Sequence, residues 1–107
     1  MTDKIVVLCT CANAEEAERL ARELVGARLA ACVNVLAGAR SFYRWQGKLE
    51  DAAEHLLVIK SSRERFNELR TAIERLHSYD VPEVVALPIV DGAPSYLNWL
   101  QQNLVNE

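Results

Sequence analysis

The chain alternates between short apolar runs and longer segments in which apolar residues recur every three or four positions. The first run, KIVVLCTC over residues 4–11, is short and rich in β-branched residues, which is typical of a strand buried on both faces. Residues 13–25 carry apolar side chains at helical spacing, and Asn13 followed by Glu16 provides a capping signal at their start. The pattern predicts a strand followed by an amphipathic helix.

A long β-hairpin is predicted in the middle of the chain. Residues 31–46 form an extended stretch in which Gly38 marks a bulge or bend. The turn sequence QGK leads into a second apolar run, so we expect the hairpin strands over residues 31–46 and 48–60.

The remaining segments predict a helix, a strand and a closing helix. Ser61 and Glu64 suggest a capping box for the second helix, and His77 lies at its end. Its apolar face comprises Phe66, Leu69, Ile73 and Leu76. The strand EVVALPI follows, and Pro94 suits the first turn of the closing helix. This order, β-α-β-β-α-β plus a helix, is the split βαβ pattern of α+β, ferredoxin-like folds.

The length and charge of the chain limit its class. A chain of 107 residues with 50% apolar residues corresponds to a single domain, residues 1–107. Its net charge of -3 and its scattered basic residues argue against a nucleic-acid partner. No apolar run is long enough for a membrane span or resembles a secretory signal, so we expect a cytoplasmic protein without membrane attachment.

The predicted strands are apolar on both faces, which bears on assembly. An antiparallel sheet with helices on one face would show alternating apolar and polar residues if its other face met water. The runs IVVL, LLVI and EVVALPI do not alternate in this way. We therefore expect the second face to be covered by further copies of the chain in a homo-oligomer.

The cysteines and histidines provide candidate metal ligands. Copper(I) prefers sulfur and imidazole, so Cys9, Cys11 and His77 are of the right chemical type. Residues two apart on a strand share a face at a separation of about 7 Å, however, so a straight strand would keep the two thiols from sharing one ion. Burial of the cysteines as packing groups, and a helix-capping role for His77, are the structural alternatives.

Charged and aromatic residues of the hairpin suggest a cleft. Glu54 and Lys60 share a face of the third strand, and Glu83 is a natural ion-pair partner for Lys60. Alternatively, Lys60 would anchor a small anion between walls formed by Tyr43 and Trp45. We expect no enzymatic activity, because the sequence lacks the GxSxG, HExxH, Walker and GxGxxG motifs.

Four motifs in this order, RLAACVNVL, SFYRWQGKLE, HSYDVPEVVALPI and YLNWL, resemble the CutA family of divalent-cation tolerance proteins over residues 5–100. The resemblance implies a ferredoxin-like subunit in a tight homotrimer, with the long hairpin packed between subunits. It also implies a role in tolerance to divalent metals, copper above all. The trimer of this family looks like that of the nitrogen-regulatory signalling proteins.

The resemblance also implies which residues act. It assigns metal binding to Cys9 and His77. The family's polar and aromatic cleft residues correspond to Tyr43, Trp45, Glu54, Lys60, Tyr79 and Glu83. The leading hypothesis is a homotrimeric metal-response protein that binds copper or another divalent cation weakly, with no tightly bound cofactor. The alternative is a trimeric signalling or interaction module that binds a small anionic ligand or a partner in its intersubunit clefts.

Overall fold

A computed structural model describes residues 2–105, which form an α+β fold with a four-stranded antiparallel sheet. In chain order the elements are β1 (Lys4–Cys11), α1 (Ala14–Gly26), β2 (Cys32–Trp45), β3 (Lys48–Ser62), a 3-10 turn (Arg63–Arg65), α2 (Phe66–Leu76), β4 (Val85–Pro88) and α3 (Pro94–Gln102). The predicted order of strands and helices is therefore confirmed.

The sheet has the strand order β2-β3-β1-β4, with antiparallel pairing between all neighbours. Alternate residues of β1 and β3 point to one face, where they are buried against α1 and α2. This core includes Val7 and Ile59 from the sheet, Leu20 from α1 and Ile73 from α2. The two helices thus cover one face of the sheet, and the side chains on that face form the main core.

The opposite face of the sheet retains exposed apolar side chains. Leu36, Val85 and Leu87 are between 47% and 50% exposed, although each lies in a β-strand. The absence of apolar–polar alternation in the sequence therefore corresponds to an apolar surface that the helices leave uncovered. Among residues 2–105, no helix has both the length and the apolar character needed to cross a membrane.

Helix α1 begins as its sequence predicts. The side-chain oxygen of Asn13 accepts a hydrogen bond from the backbone N–H of Glu16 at 2.9 Å, which satisfies one of the free donors of the first turn. Ala17, Leu20 and Leu24 face the core.

The hairpin also has its predicted geometry. The register of β2 against β3 shifts between Leu36 and Ala39, and Gly38 within this bulge has a φ of 90°. At the tip, Gln46 and Gly47 have φ values of 51° and 81°, as a tight hairpin turn with two left-handed residues requires.

The predicted capping box at the start of the second helix is wrong. Strand β3 continues to Ser62, and Arg65, which precedes α2, makes no side-chain capping bond. Ser61 is buried, and its hydroxyl donates to the backbone carbonyl of Leu29 at 2.6 Å. The long-range bond uses the hydroxyl that the local motif would have required, because the buried Ser61 hydroxyl needs a hydrogen-bond partner and the Leu29 carbonyl provides it.

Helix α3 forms a second, smaller core. Leu100 and Leu104 are buried against Ala31, with Ile89 and Leu97 packed beside them. The ammonium group of Lys4 also donates to the side-chain oxygen of Gln101 at 2.7 Å. These contacts attach the C-terminal helix to the start of β1 and to the segment before β2.

Candidate functional site

Three potential metal ligands lie together where the end of β1 meets the C-terminal end of α2. Cys9 and Cys11 are core-facing residues of β1, and both are fully buried. His77 is the C-cap of α2 and is also buried. The two sulfur atoms and one ring nitrogen of His77 all lie within 4.8 Å of one another. The structure thus brings together the two residues to which the resemblance assigns metal binding, and it adds Cys11.

The expectation that Cys9 and Cys11 are too far apart to share an ion is wrong. It rests on the separation of backbone positions, about 7 Å for residues two apart on a strand. Side chains on a strand also lean along the strand direction, and each sulfur projects beyond its Cβ atom. The two sulfurs therefore come within 4.8 Å of each other although the strand has no break at Thr10.

The hydrogen bonds of His77 define its tautomer. Nε2 lies 2.7 Å from the backbone carbonyl of Thr10, which can only accept, so Nε2 carries the proton. Nδ1 accepts from the backbone N–H of Tyr79 at 3.1 Å. The sulfur of Cys11 is 3.7 Å from Nε2. The imidazole is therefore held by two backbone groups. Nε2 lies near the thiol of Cys11 but keeps its proton in the bond to Thr10.

The surroundings of the Cys9 thiol favour its protonated form. The hydrogen bond with Cys11 and burial raise the pKa of the Cys9 thiol far above its usual range, and the negative charges of Glu83 and Glu16 act in the same direction. Because a thiolate rather than a thiol binds metals, an ion entering this cluster must displace the proton of Cys9.

Glu16 forms hydrogen bonds to both chain segments that lie next to this cluster. Its side chain is buried, with one oxygen accepting from the backbone N–H of Ser78 at 2.9 Å and the other from that of Ala12 at 3.5 Å. Burial alone would raise the pKa of this carboxyl group, but the hydrogen bonds from Ser78 and Ala12 lower it overall. Glu16 thereby ties the residue after His77 to the start of α1.

A cleft of about 700 Å³ lies beside the cluster, between the outer half of the hairpin and the segment after α2. Its lining includes five of the six predicted cleft residues: Tyr43, Trp45, Glu54, Tyr79 and Glu83. Thr10, whose carbonyl accepts from His77, also contributes to it. The cleft and the thiol cluster are therefore neighbours that share one wall.

Glu54 and Tyr79 form the inner part of the cleft. The Tyr79 hydroxyl donates to Oε2 of Glu54 at 2.6 Å, and Glu54 is only 6% exposed. Burial and this bond to the carboxylate raise the pKa of Tyr79 well above its usual value of 10.0. The phenol thus stays protonated and keeps donating to Glu54.

The structure does not bring Lys60 to this cleft. Lys60 is absent from the lining residues, and its ammonium group donates to the side-chain oxygen of Asn34 on β2. It follows Glu54 by six residues on an extended strand, which is roughly 20 Å. No ion pair between Lys60 and Glu83 occurs within residues 2–105.

Some residues of this region were not assigned a role from the sequence. Cys11 could have been included from its CxC spacing alone, had side-chain lean been considered. Asp80 and Phe42 line the cleft, but neither has a local sequence signal for that position. Glu16 was recognised only as part of a helix start, and its role in holding Ser78 depends on a contact between residues far apart in sequence.

Comparison with known proteins identifies the family. Residues 5–103 match the family described as CutA1 divalent ion tolerance protein. The divalent-cation tolerance protein CutA of Thermus thermophilus is 47% identical over 92% of this chain and 95% of its own length. The Arabidopsis thaliana protein named "Protein CutA, chloroplastic" is 43% identical over 95% of this chain and 56% of its own length.

Solved structures show the same architecture. The crystal structure of CutA from Xylella fastidiosa superposes with a TM-score of 0.95 at 40% identity, covering 97% of this chain and 100% of that one. Sequence and fold agree over nearly the whole length, and the chain belongs to the CutA1 divalent ion tolerance protein family.

Proposed function

We propose that this protein contributes to metal tolerance by binding copper or a chemically related cation at Cys9, Cys11 and His77. The observation that supports the proposal is the convergence of two sulfurs and one imidazole nitrogen within 4.8 Å. Soft thiolate ligands select copper(I), and imidazole also suits copper. The family's description, divalent ion tolerance, agrees with a metal ligand but names no particular metal.

The sulfur pair is the main part of the proposed site. Two ligand bonds of about 2.3 Å place their donor atoms at most about 4.6 Å apart. This is close to the 4.8 Å within which the ligand atoms of the cluster lie. Only small side-chain rotations of Cys9 and Cys11 are needed to reach that geometry. The sulfurs can therefore share an ion without a change in the fold of β1.

His77 has a secondary part in the proposed site. Its Nε2 proton is donated to Thr10, and its Nδ1 atom already accepts from Tyr79. Coordination through Nε2 would require that proton to move to Nδ1, which could then no longer accept from the Tyr79 backbone N–H. We therefore expect His77 to contribute less to affinity than either cysteine.

Binding at this site should be weak or moderate for a thiolate site. The ion has to enter a closed core, displace the proton of Cys9 and disturb hydrogen bonds that are already satisfied. The same closure protects the thiols from bulk solvent. We propose exchangeable binding, in keeping with a response protein, and assign no catalytic step and no tightly bound cofactor.

The proposed assembly is a homotrimer of ferredoxin-like subunits. The observed strand order supports the ferredoxin-like arrangement, and the exposed apolar residues of β2 and β4 support coverage by other subunits. The number three rests on the family resemblance. Light scattering at micromolar concentration should give three times the subunit mass of 12.0 kDa, and a monomer would contradict this part of the proposal.

We also propose a cytoplasmic location, where reducing conditions keep thiols free. All three cysteines are free in the structure, which supports this choice. Fractionation of cells that produce the untagged protein would test it, with the protein expected in the cytoplasmic fraction and not in an exported one.

The test of metal binding is an anaerobic competition titration of the reduced protein against a chromogenic copper(I) chelator. Cys9→Ser and Cys11→Ser should each lower affinity by on the order of 100-fold, because each removes a ligand. His77→Gln should lower it by about tenfold.

Cys32→Ser is the matched control for the titration. This thiol is half-buried and lies outside the cluster, so its loss should leave copper affinity within about twofold. Equal copper affinity of the wild-type protein, Cys9→Ser and Cys11→Ser would overturn the proposed site. A loss in Cys32→Ser equal to that in Cys9→Ser would show binding by any available thiol and would overturn it as well.

A further inference from the structure

The thiol cluster is closed, although exposed residues follow its ligands directly along the chain. Cys9 and Cys11 are 0% exposed, and His77 is 9% exposed. The next residues after β1 and after the C-cap of α2, Ala12 and Ser78, are both exposed. The two segments that follow the ligands therefore lie between the cluster and the solvent.

A single carboxylate joins these two segments. Among residues 2–105, no backbone–backbone hydrogen bond connects residues 11–13 with residues 77–79. Instead, one oxygen of Glu16 accepts from the backbone N–H of Ser78 at 2.9 Å, and the other accepts from that of Ala12 at 3.5 Å. Each donor directly follows a residue of the cluster. We call this contact, Ala12–Glu16–Ser78, the Glu16 bridge.

The segment after α2 has few other attachments. Residues 78–84 belong to no helix or strand. The backbone N–H of Tyr79 bonds to the ring of His77, which is a contact within one short stretch of chain. Segments held by few hydrogen bonds open locally at a lower free energy than packed helices and strands. Loss of the bond from Ser78 to Glu16 can therefore free the start of this segment while α2 and the sheet stay folded.

The Glu16 bridge lies on the helical side of the sheet. Helices α1 and α2 cover one face of the sheet, and the exposed apolar residues assigned to subunit contacts lie on the opposite face. Ala12 and Glu16 are also outside the lining of the cleft beside the hairpin. The bridge therefore closes the cluster from the side of α1, away from the hairpin that the proposed homotrimer packs between subunits.

We propose that the Glu16 bridge controls the passage of ions and small molecules between the solvent and the thiol cluster. When Ser78 leaves Glu16, the segment after α2 moves and opens a path to Cys11 and His77. For ions, this inference rests on the proposed metal site. The bridge sets the rates of entry and exit and leaves the affinity unchanged, because both directions use the same opening.

The first test measures how fast methyl methanethiosulfonate labels Cys9 and Cys11 in the reduced, metal-free protein, with the labelled peptides quantified by mass spectrometry. Glu16→Gln should raise both rates on the order of 30-fold, because one backbone donor then faces an amide N–H. Glu16→Asp keeps the charge but is too short to reach both donors, and it should raise them about tenfold. Glu15→Gln, in the same turn but outside the bridge, should change them less than about twofold.

Urea separates opening of the bridge from unfolding of the whole protein. Local opening exposes little surface, so labelling of Glu16→Gln should change less than about twofold up to about 1 M urea. Labelling through global unfolding would instead rise at least about fivefold over this range and would overturn the proposal. If Glu16→Gln is unfolded by circular dichroism, Glu16→Asp takes its place.

The second test follows copper(I) transfer to and from the protein by stopped flow, with the chelator in excess or preloaded. Glu16→Gln should speed uptake and release by about tenfold or more and keep the affinity within about threefold. Faster labelling without faster copper exchange, or equal labelling of Glu16→Gln and Glu15→Gln, would overturn the proposal. A wild-type protein that binds no copper through its cysteines would overturn the metal site, and the labelling rates alone would then decide whether the bridge controls access.

Discussion

The thiol cluster and the acidic cleft lie next to each other but differ in how they are prepared for a ligand. His77 turns into the core and Tyr79 into the cleft, with their ring centroids only 4.6 Å apart. In the cluster, the Cys9 thiol is held in its protonated form and the imidazole is held by two backbone groups. In the cleft, the carboxyl groups of Glu54, Asp80 and Glu83 line an open space. A closed site must give up protons and hydrogen bonds to accept an ion, whereas an open one already presents its charge.

The largest expected difference concerns pH. Copper(I) affinity at the cluster should rise about tenfold or more for each pH unit between about pH 6 and 8, because at least the Cys9 proton is displaced. The copper titration repeated at three pH values checks this. A copper affinity that does not vary with pH would contradict proton displacement at Cys9.

The second prediction concerns the residue that holds the two regions in place. Glu16→Gln should lower the free energy of unfolding by about 2 kcal/mol at pH 7, because one of the two backbone donors then faces an amide N–H of a buried side chain instead of an oxygen. The folded-state pKa of Glu16 is lowered, so its stabilisation is present above the usual value of 4.5 and is lost as pH falls through the folded-state value.

Urea denaturation of the wild type and Glu16→Gln at pH 7 and at decreasing pH measures this effect. The stability difference should be largest at neutral pH and should shrink in acid. An undiminished difference at the acid end would indicate that the side-chain charge of Glu16 is unimportant. Glu15→Gln, in the same first turn but less buried, is the matched control and should cost less than about 0.5 kcal/mol.

A smaller effect is expected from the hydrogen bond between Tyr79 and Glu54. Tyr79→Phe should lower the free energy of unfolding by about 1 kcal/mol, since Glu54 loses a hydrogen-bond donor in a nearly buried position. The folded-state pKa of Tyr79 is raised above 10.0, so this stabilisation is complete below that pH and disappears as pH rises through the folded-state value. Thermal unfolding at pH 8 and at pH values above 10 tests this, with Tyr43→Phe as the control in the open wall. Identical stabilities of Tyr79→Phe and wild type at pH 8 would contradict the prediction.

The smallest effect should come from Lys60. Lys60→Ala removes a hydrogen bond to Asn34 at an exposed position outside the cleft. The free energy of unfolding should therefore change by less than about 0.5 kcal/mol. Detection of anion binding that Lys60→Ala abolishes would instead favour the signalling alternative, in which Lys60 is the anchor.

The elements of the fold were predictable because their signals are local. β1 spans the predicted residues 4–11, and the hairpin strands end within two residues of their predicted ends. Gly38 and Gly47 occupy left-handed positions that glycine favours. The failure at Ser61 has a different origin, since its capping pattern is local whereas the bond to Leu29 that replaces it is not.

The site was less predictable than the fold because it depends on distances that spacing does not contain. Shared strand parity suggested a common place for Glu54 and Lys60, but six residues of extended strand separate them. Spacing also suggested that Cys9 and Cys11 could not share an ion, because it ignores how side chains lean. The acidic character of the cleft required the segment with Asp80 and Glu83 to be placed against the hairpin.

The central claim, that two cysteines hold the ion, is tested most directly by X-ray absorption at the copper edge of the loaded, reduced protein. The account predicts two sulfur neighbours near the thiolate distance of about 2.3 Å, and one fewer in Cys9→Ser. A first shell of only nitrogen and oxygen, unchanged in Cys9→Ser, would contradict it.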